Sequence, residues 1–531
     1  MIELSAMDCA DLVSDGATIA VTGNGGGMLE PDAIFAALES RFLATGHPKN
    51  LTVIHALGIG DGKARGISRF AHVGMVRRVI GGHWSWSPQM QQLARGNEIE
   101  AFTLPSGVIS LLMRESGAGR PGLITHVGLG TTYDPRETGG AANDAARLAG
   151  PLSEIVVLGG KEYIRYLPIQ PDFAIIRGTY CDQTGNISGA EEAGDLDVYS
   201  VALAAKNSGG RVLAQVREKR NAESCHARLV SVPGVLVDCV VQVADQPQTH
   251  LRNDQPSVAG LPHAGAPHGH AFEGLTMPKG ARAIIARRAA DEIVDGQSVN
   301  FGFGIPGGIA AILEKRARIE KIWVSVEQGI HNGQLIDGPL FGAAINPTAI
   351  MRSTDQFDYY SGGGADIAFL GAGECDAAGN VNVSQLGGDV VGPGGFVDIS
   401  QGAKKVVFCG TFETGGMRVT AADGSLSIDT YGRIPKFVDQ VHEITFAGAI
   451  AAASGQPVTY ITERAVFQLT QTGMELIEIA PEVDLQKDVL DRMSFVPRVS
   501  KNLTLMAAHC FLDDAERATD NVPLALGATH V

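Results

Sequence analysis

Asp172-Phe-Ala-Ile-Ile-Arg-Gly-Thr-Tyr-Cys-Asp182-Gln-Thr-Gly-Asn186 and Asp366-Ile-Ala-Phe-Leu-Gly-Ala-Gly-Glu-Cys-Asp376-Ala-Ala-Gly-Asn380 align without a gap at a constant offset of 194 residues. Each copy carries a short apolar run without alternation, which is how a strand buried on both faces of a parallel sheet reads. Each then closes on Asp-x-x-Gly-Asn, a turn signature in which short polar side chains bond their own backbone. Because the aspartate and asparagine recur once per half, their expected role is structural rather than acid–base. A second correspondence links the openings of the halves: Leu12-Val-Ser-Asp15-Gly16 and Ile293-Val-Asp295-Gly296 each precede a strand and a glycine cluster. That pair is offset by 280, so the first half holds 86 more residues between the two markers. The chain reads as two related α/β domains, 1–245 and 275–531, the first bearing an insertion, joined by a linker over 246–274.

Outward from the repeat, apolar runs at 17–23, 51–58, 154–160, 172–178 and 211–216, and again at 298–304, 321–329, 366–371 and 405–410, all but 211–216 ending in glycine, predict further strands. Arg282–Val294 and Gly307–Ile319 read as helices between them. Residues 245–274 hold four prolines and four histidines with no apolar periodicity, hence the linker; His263, His268 and His270 lack the cysteine or carboxylate pattern of a metal site.

A length of 531 residues exceeds what one core usually organises. A net charge of −16 argues against nucleic-acid or anionic-membrane partners. The acidic start, with Glu3, Asp8, Asp11 and Asp15, is unlike a secretory leader, and no apolar run approaches the roughly 20 residues of a membrane span. Seven cysteines form no Cys-x-x-Cys pair, which fits reduced structural thiols in the cytoplasm.

Chemistry concentrates in Val299-Asn-Phe-Gly302-Phe-Gly304-Ile-Pro-Gly307-Gly308 and the following Lys321-Ile-Trp-Val-Ser-Val-Glu327-Gln-Gly329. Gly302, Gly304 and Gly307 satisfy G-x-G-x-x-G, and Glu327 ends the next strand 20 positions after Gly307. That pattern is also a dinucleotide fingerprint with its ribose-binding carboxylate, so a nucleotide-dependent dehydrogenase competes. A transferase is favoured by the glycine-bounded loop after Glu327, by a second glycine-rich turn at Gly392-Pro-Gly394-Gly395-Phe-Val-Asp398, and by a doubled domain that implies a cleft between halves. Arg77, Arg78, Lys404 and Lys405 are basic pairs of the sort that form solvated surface, and none is assigned to a ligand.

Over nearly its whole length the chain resembles the family I coenzyme A-transferases, in particular their single-chain acetate/propionate (short-chain acyl) type. The residues that carry the resemblance are Gly23-Asn-Gly-Gly-Gly27 with Glu30-Pro31, Gly81-Gly-His-Trp84, Asp134-Pro-Arg136, Val326-Glu327-Gln-Gly-Ile, Gln356-Phe-Asp-Tyr-Tyr-Ser-Gly-Gly-Gly364, Gly394-Gly-Phe-Val-Asp-Ile-Ser400, Tyr460-Ile-Thr-Glu-Arg464 and Glu478-Ile-Ala-Pro481. A departure follows the glutamate, where many relatives have two glycines and this chain has His331-Asn332-Gly333; it bears on acyl specificity.

The resemblance implies two domains of the coenzyme A-transferase-like fold, each a mostly parallel sheet flanked by helices, and exchange of CoA between a short-chain acyl-CoA and a free carboxylate. Acetate, propionate, butyrate and acetoacetate are the acceptor class. Glu327 becomes the nucleophile of a ping-pong reaction through a mixed anhydride and a glutamyl–CoA thioester. An ordinary glutamate, with a pKa of about 4.3, is ionised at neutral pH without a helper base. Gly394 or Gly395 is expected to supply an oxyanion-binding N–H, Asn24 a weaker donor from the other domain, and Gly302 and Gly304 part of the CoA site. For Asn24 and Gly25–Gly27 a plain tight turn is an equal reading. No metal and no cofactor beyond CoA is expected, nor a nucleic-acid or membrane partner; a homo-oligomer, dimer or tetramer, is. A ligand-sensing module of related fold is the non-enzymatic alternative, disfavoured by the Glu327 loop.

Overall fold

Aspartates 172 and 366 show how the two halves are built on one plan. In the computed structural model, which describes residues 1–221, 226–251, 254–261 and 276–512, Asp172 Oδ2 accepts the Thr18 N–H at 2.8 Å and Asp366 Oδ2 accepts the Ser298 N–H at 2.8 Å. Each carboxylate thus starts the neighbouring central strand of its own sheet in register.

In the first half the strands run Ile2–Glu3, Cys239–Gln242, Arg211–Arg220, Phe173–Asp182, Thr18–Val21, Leu51–His55, Val76–Gly81 and Glu100–Thr103 across the sheet, and every neighbouring pair is parallel. The second half repeats the centre of that order with Val458–Ile461, Val406–Cys409, Ile367–Gly371, Ser298–Phe301 and Trp323–Ser325, again all parallel. Its edges differ. Ile330–His331 and Ala349–Ile350 add antiparallel strands on one side, and Ala465–Thr470, Gly473–Ile479 and Arg498–Leu505 extend the other. Phe173–Asp182 and Leu51–His55 are buried at every residue, as unalternating apolar runs require.

The run at 154–160 is the exception among the expected strands. Ser153–Leu158 belongs to a separate antiparallel sheet with Leu123–Thr125 and Lys161–Tyr166, where Val157 and Leu158 are exposed. The expected helices appear as Ala281–Ala290 and Gly307–Lys315. The Asp-x-x-Gly-Asn segments are matching turns. Asp182 Oδ1 accepts the N–H of Thr184 and Asn186, and Asp376 Oδ1 those of Ala378 and Asn380. Each asparagine then reaches on, Asn186 Oδ1 to Gly234 N and Asn380 Oδ1 to Gly448 N.

One apolar core passes through both halves, from Phe102 and Ile176 to Phe301 and Phe369, and a second lies on the other face of the first sheet. Residues 246–251 and 254–261 are seated on the fold rather than free: Gln248, Thr249 and Val258 are buried, His250 N donates to Gly26 O at 2.7 Å, and Asn346 N donates to Ser257 O at 2.8 Å. His263, His268, His270 and the segment after Asp513 lie outside the described residues, as does Cys225. The other six cysteines are buried, and among the described residues no helix is long and apolar enough to cross a membrane.

Candidate active site

Glu327 follows the strand Trp323–Ser325, at the carboxyl edge of the parallel sheet where crossing connections leave a crevice. It lies in a cleft of about 410 Å³ between the halves, to which the first half contributes Asn24, Leu57, Gly58, His83, Trp86 and Ser106. Glu327 is the one carboxylate among the lining residues, and none of them is Lys or Arg. Burial pushes its carboxyl up to about 7, while the Gly395 N–H and the Gln328 side chain pull the other way. The expectation of a fully ionised glutamate at neutral pH is therefore corrected: desolvation leaves it near its midpoint.

Gly395 is required where it stands, since a Cβ there would overlap Glu327 Oε2. The loop that carries it is fastened to the opposite half. Trp84 N donates to Val391 O, Gly394 N to Gly82 O and Ser106 N to Gly394 O, each at 2.8 Å. Gly394 N–H is thereby occupied, so Gly395 is the member of that pair whose N–H serves Glu327. Asn24 Nδ2 donates to Phe341 O at 3.1 Å, so its amide ties the first half to the second, while Asn24 Oδ1 meets Gln328 Nε2 at 3.5 Å. The same Gln328 Nε2 lies 3.4 Å from Glu327 Oε1. Gly25–Gly27 turn out to be an interdomain seat. Added Cβ atoms would meet the Trp86 ring, Pro339 O with Leu340, and the His250 ring respectively.

Glu327, Gly394, Gly395, Gly302 and Asn24 thus share one cleft, and Gly304 is outside its lining. Gln328, His83 and Asn300 also line it and escaped the sequence reading, although all three stand inside the quoted motifs. Burial lowers the His83 imidazole to about 4, keeping it neutral. Behind the cleft, burial raises Asp398 to about 8, and Glu327 repels its charge; its Oδ2 accepts the Gly107 N–H at 3.1 Å. The basic pairs are spent elsewhere: Arg77 and Arg78 on Glu100, Lys404 on Asp366, Lys405 on Glu292. Glu463 and Arg464 form a fully buried ion pair at 2.8 Å, outside the cleft.

Two chains named acetate and caffeate CoA-transferases match almost end to end. The acetate CoA-transferase YdiF of Escherichia coli O157:H7 is 40% identical over 521 residues, 96% of this chain and 95% of that one. The chain belongs to the coenzyme A transferase family. Caffeate CoA-transferase of Acetobacterium woodii is 39% identical over 520 residues, 96% of this chain and 97% of that protein. The family profile described as Coenzyme A transferase matches residues 4–243. Among solved structures, the Escherichia coli O157:H7 YdiF thioester complex with CoA superposes with a TM-score of 0.91 at 39% identity, covering 96% of each chain. This CoA-transferase is accordingly an enzyme of family I, built on the single-chain, two-half α/β fold, and it moves CoA between an acyl-CoA and a carboxylate.

Proposed function

We propose that the chain exchanges CoA between short-chain acyl-CoAs and free carboxylates of the acetate, propionate, butyrate or acetoacetate class by a ping-pong reaction on Glu327. The single observation that carries this reading is the Glu327 carboxylate held against the Gly395 N–H on the floor of a largely apolar interdomain cleft. Ionised Glu327 attacks the acyl thioester and expels CoA thiolate, leaving a mixed anhydride. The thiolate then attacks the glutamyl carbonyl, giving a glutamyl–CoA thioester and the free acid; an incoming carboxylate reverses both steps. Each tetrahedral state at the glutamyl carbon carries an oxyanion, and the Gly395 N–H is already directed at that carboxyl group. Asn24 acts through Gln328, and Gly302 borders the CoA path.

Covering of the cleft by the first half keeps water from the anhydride and the thioester. Its inner wall is closed by the His83 and Trp86 rings, which sit against Gly58, and this favours small acyl groups. The thioester bond energy is conserved, so the reaction calls for no metal and no cofactor besides CoA. With this reading go domains at 1–245 and 275–531 joined through 246–274, a homo-oligomer (dimer or tetramer) resting on the family resemblance alone, and a cytoplasmic location resting on the cysteine usage.

Intact mass after incubation with acetyl-CoA tests the chemistry. A CoA-sized adduct on the wild type, removed by hydroxylamine and missing from Glu327→Ala, is expected. Transfer that continues in Glu327→Ala would sink the assignment. Parallel rates with acetate, propionate, butyrate, acetoacetate and caffeate measure acyl preference.

A further inference from the structure

Asn300 occupies the strand Ser298–Phe301 one residue from the Gly302 turn, is 1% exposed and lines the cleft beside Glu327. Its amide nitrogen is committed twice, to Ser325 O at 3.1 Å and to Tyr360 OH at 3.0 Å. Tyr360 OH passes its own proton to Ser325 Oγ at 3.1 Å, so its oxygen is free to accept. This fixes the orientation of the Asn300 amide, because the reversed amide would set Oδ1 against the Ser325 carbonyl, acceptor against acceptor. Oδ1 consequently turns away from the network, and it has no partner although it is buried. A buried acceptor in a ligand cleft is costly unless something donates to it.

The position indicates the donor. Ser325 lies beside Asn300 in the parallel pair, and Glu327 is two residues further along, a strand distance of about 6–7 Å. In an acyl-CoA the first N–H encountered from the thioester carbonyl is the cysteamine amide of the pantetheine arm, separated from it by the sulfur and two methylenes, a reach of similar length. An acyl group or a free carboxylate of the acetate class brings no such donor. Building on the reading of Glu327 as nucleophile, we propose that Asn300 is a substrate-positioning residue whose Oδ1 accepts the cysteamine N–H and so holds the thioester over Glu327. No bond is made or broken by Asn300.

The test compares acetyl-CoA with an analogue in which the cysteamine N–H is replaced by CH2, using the full-length wild type and Asn300→Ala. In the wild type the replacement should lower kcat/KM about tenfold, the usual scale of one neutral hydrogen bond, whereas Asn300→Ala should show no further loss on replacement. An equal loss in both proteins assigns the N–H to another group and overturns the proposal, as does no loss in the wild type. If Asn300→Ala does not fold, Asn300→Ser serves as the second variant, and the wild-type comparison by itself retains its power to refute. Failure of the Glu327 reading is recognised separately, by the absence of a CoA adduct with acetyl-CoA itself.

Discussion

Two helix beginnings sit at the interface between the halves, and they are built alike. Val198–Asn207 in the first half is preceded by Leu196, at φ 51°, and capped by Asp197; Phe396–Gly402 in the second is preceded by Gly394, at φ 56°, and capped by Gly395. Leu196 O accepts the Ser353 N–H at 2.9 Å and Gly394 O the Ser106 N–H at 2.8 Å, so each turn receives the first residue of a helix from the opposite half. The side chains then part company. Asp197 is buried and accepts from Ser110 Oγ at 3.2 Å, whereas Gly395 leaves room for the Glu327 carboxylate. The residue matching Glu327 in the first half is Ala56, since Ile54 lies beside Ala20 as Ser325 lies beside Asn300. The duplicated backbone therefore offers two equivalent corners. The corner that holds Glu327 differs from the silent one by a carboxylate added and two side chains removed. Leucine bears the strain of a left-handed backbone at the silent corner, where glycine takes it freely at the other.

Writing the silent corner into the active one is the most damaging change expected. Gly395→Asp should lower kcat by on the order of 10³-fold or more, since it displaces Glu327 and sets a like charge beside it. The reverse exchange, Asp197→Gly, should leave kcat within about threefold of the wild type, a change beneath the roughly 1.4 kcal/mol that makes a factor of ten. Steady-state rates that fall equally for both would end the distinction between the corners.

The next effect comes from protonation. The nucleophilic role proposed for Glu327 requires its carboxylate form, and burial raises the group to about 7. In single turnovers with acyl-CoA the rate should climb about tenfold per pH unit below that midpoint and level above it. Gln328→Leu removes one of the two groups that favour ionisation, so the midpoint should move upward; a profile flat from pH 5 to 8 would contradict the buried-carboxylate picture. Asp398, raised to about 8, adds a stability effect of opposite use. Between its unfolded value and about 8 the folded state holds the extra proton, so stability falls as pH rises through that window. Asp398→Asn should raise the Tm, relative to the wild type, less at pH 5 than at pH 9.

The smallest effects test what the halves share. Asp182→Ala and Asp376→Ala each unpair two backbone N–H groups of equivalent turns, and each should cost about 1–3 kcal/mol by denaturant unfolding. Transfer per folded molecule should be the same in both.

The repeated Asp-to-Asn segment was sufficient to read out the doubled parallel sheet, because a strand buried on both faces and an Asp-x-x-Gly-Asn turn are local statements. Glu327 and its glycine loop were legible for a similar reason. The packing that gives the neighbours their work was not. Nothing local to Asn300 tells that its amide is held by Tyr360, 60 residues away, and Gly25–Gly27 look like a ligand loop until His250 and Pro339 are seen to fill the space. The Ser153–Leu158 strand failed as a parallel-sheet strand because an apolar run alone does not reveal that its partner is an antiparallel hairpin. Ionisation was equally out of reach, since the pKa of Glu327 is set by what covers it.

The bond from Gly394 N to Gly82 O makes the closed cleft an interlock. The N–H that accompanies the nucleophile belongs to a loop whose place is dictated by the other half. Were the halves to part by a few ångströms, the loop would relax and the donor would leave Glu327 at the same moment that solvent entered. In the proposed mechanism, hydrolysis and transfer would thus draw on opposite states of the same joint, and opening would disarm the site.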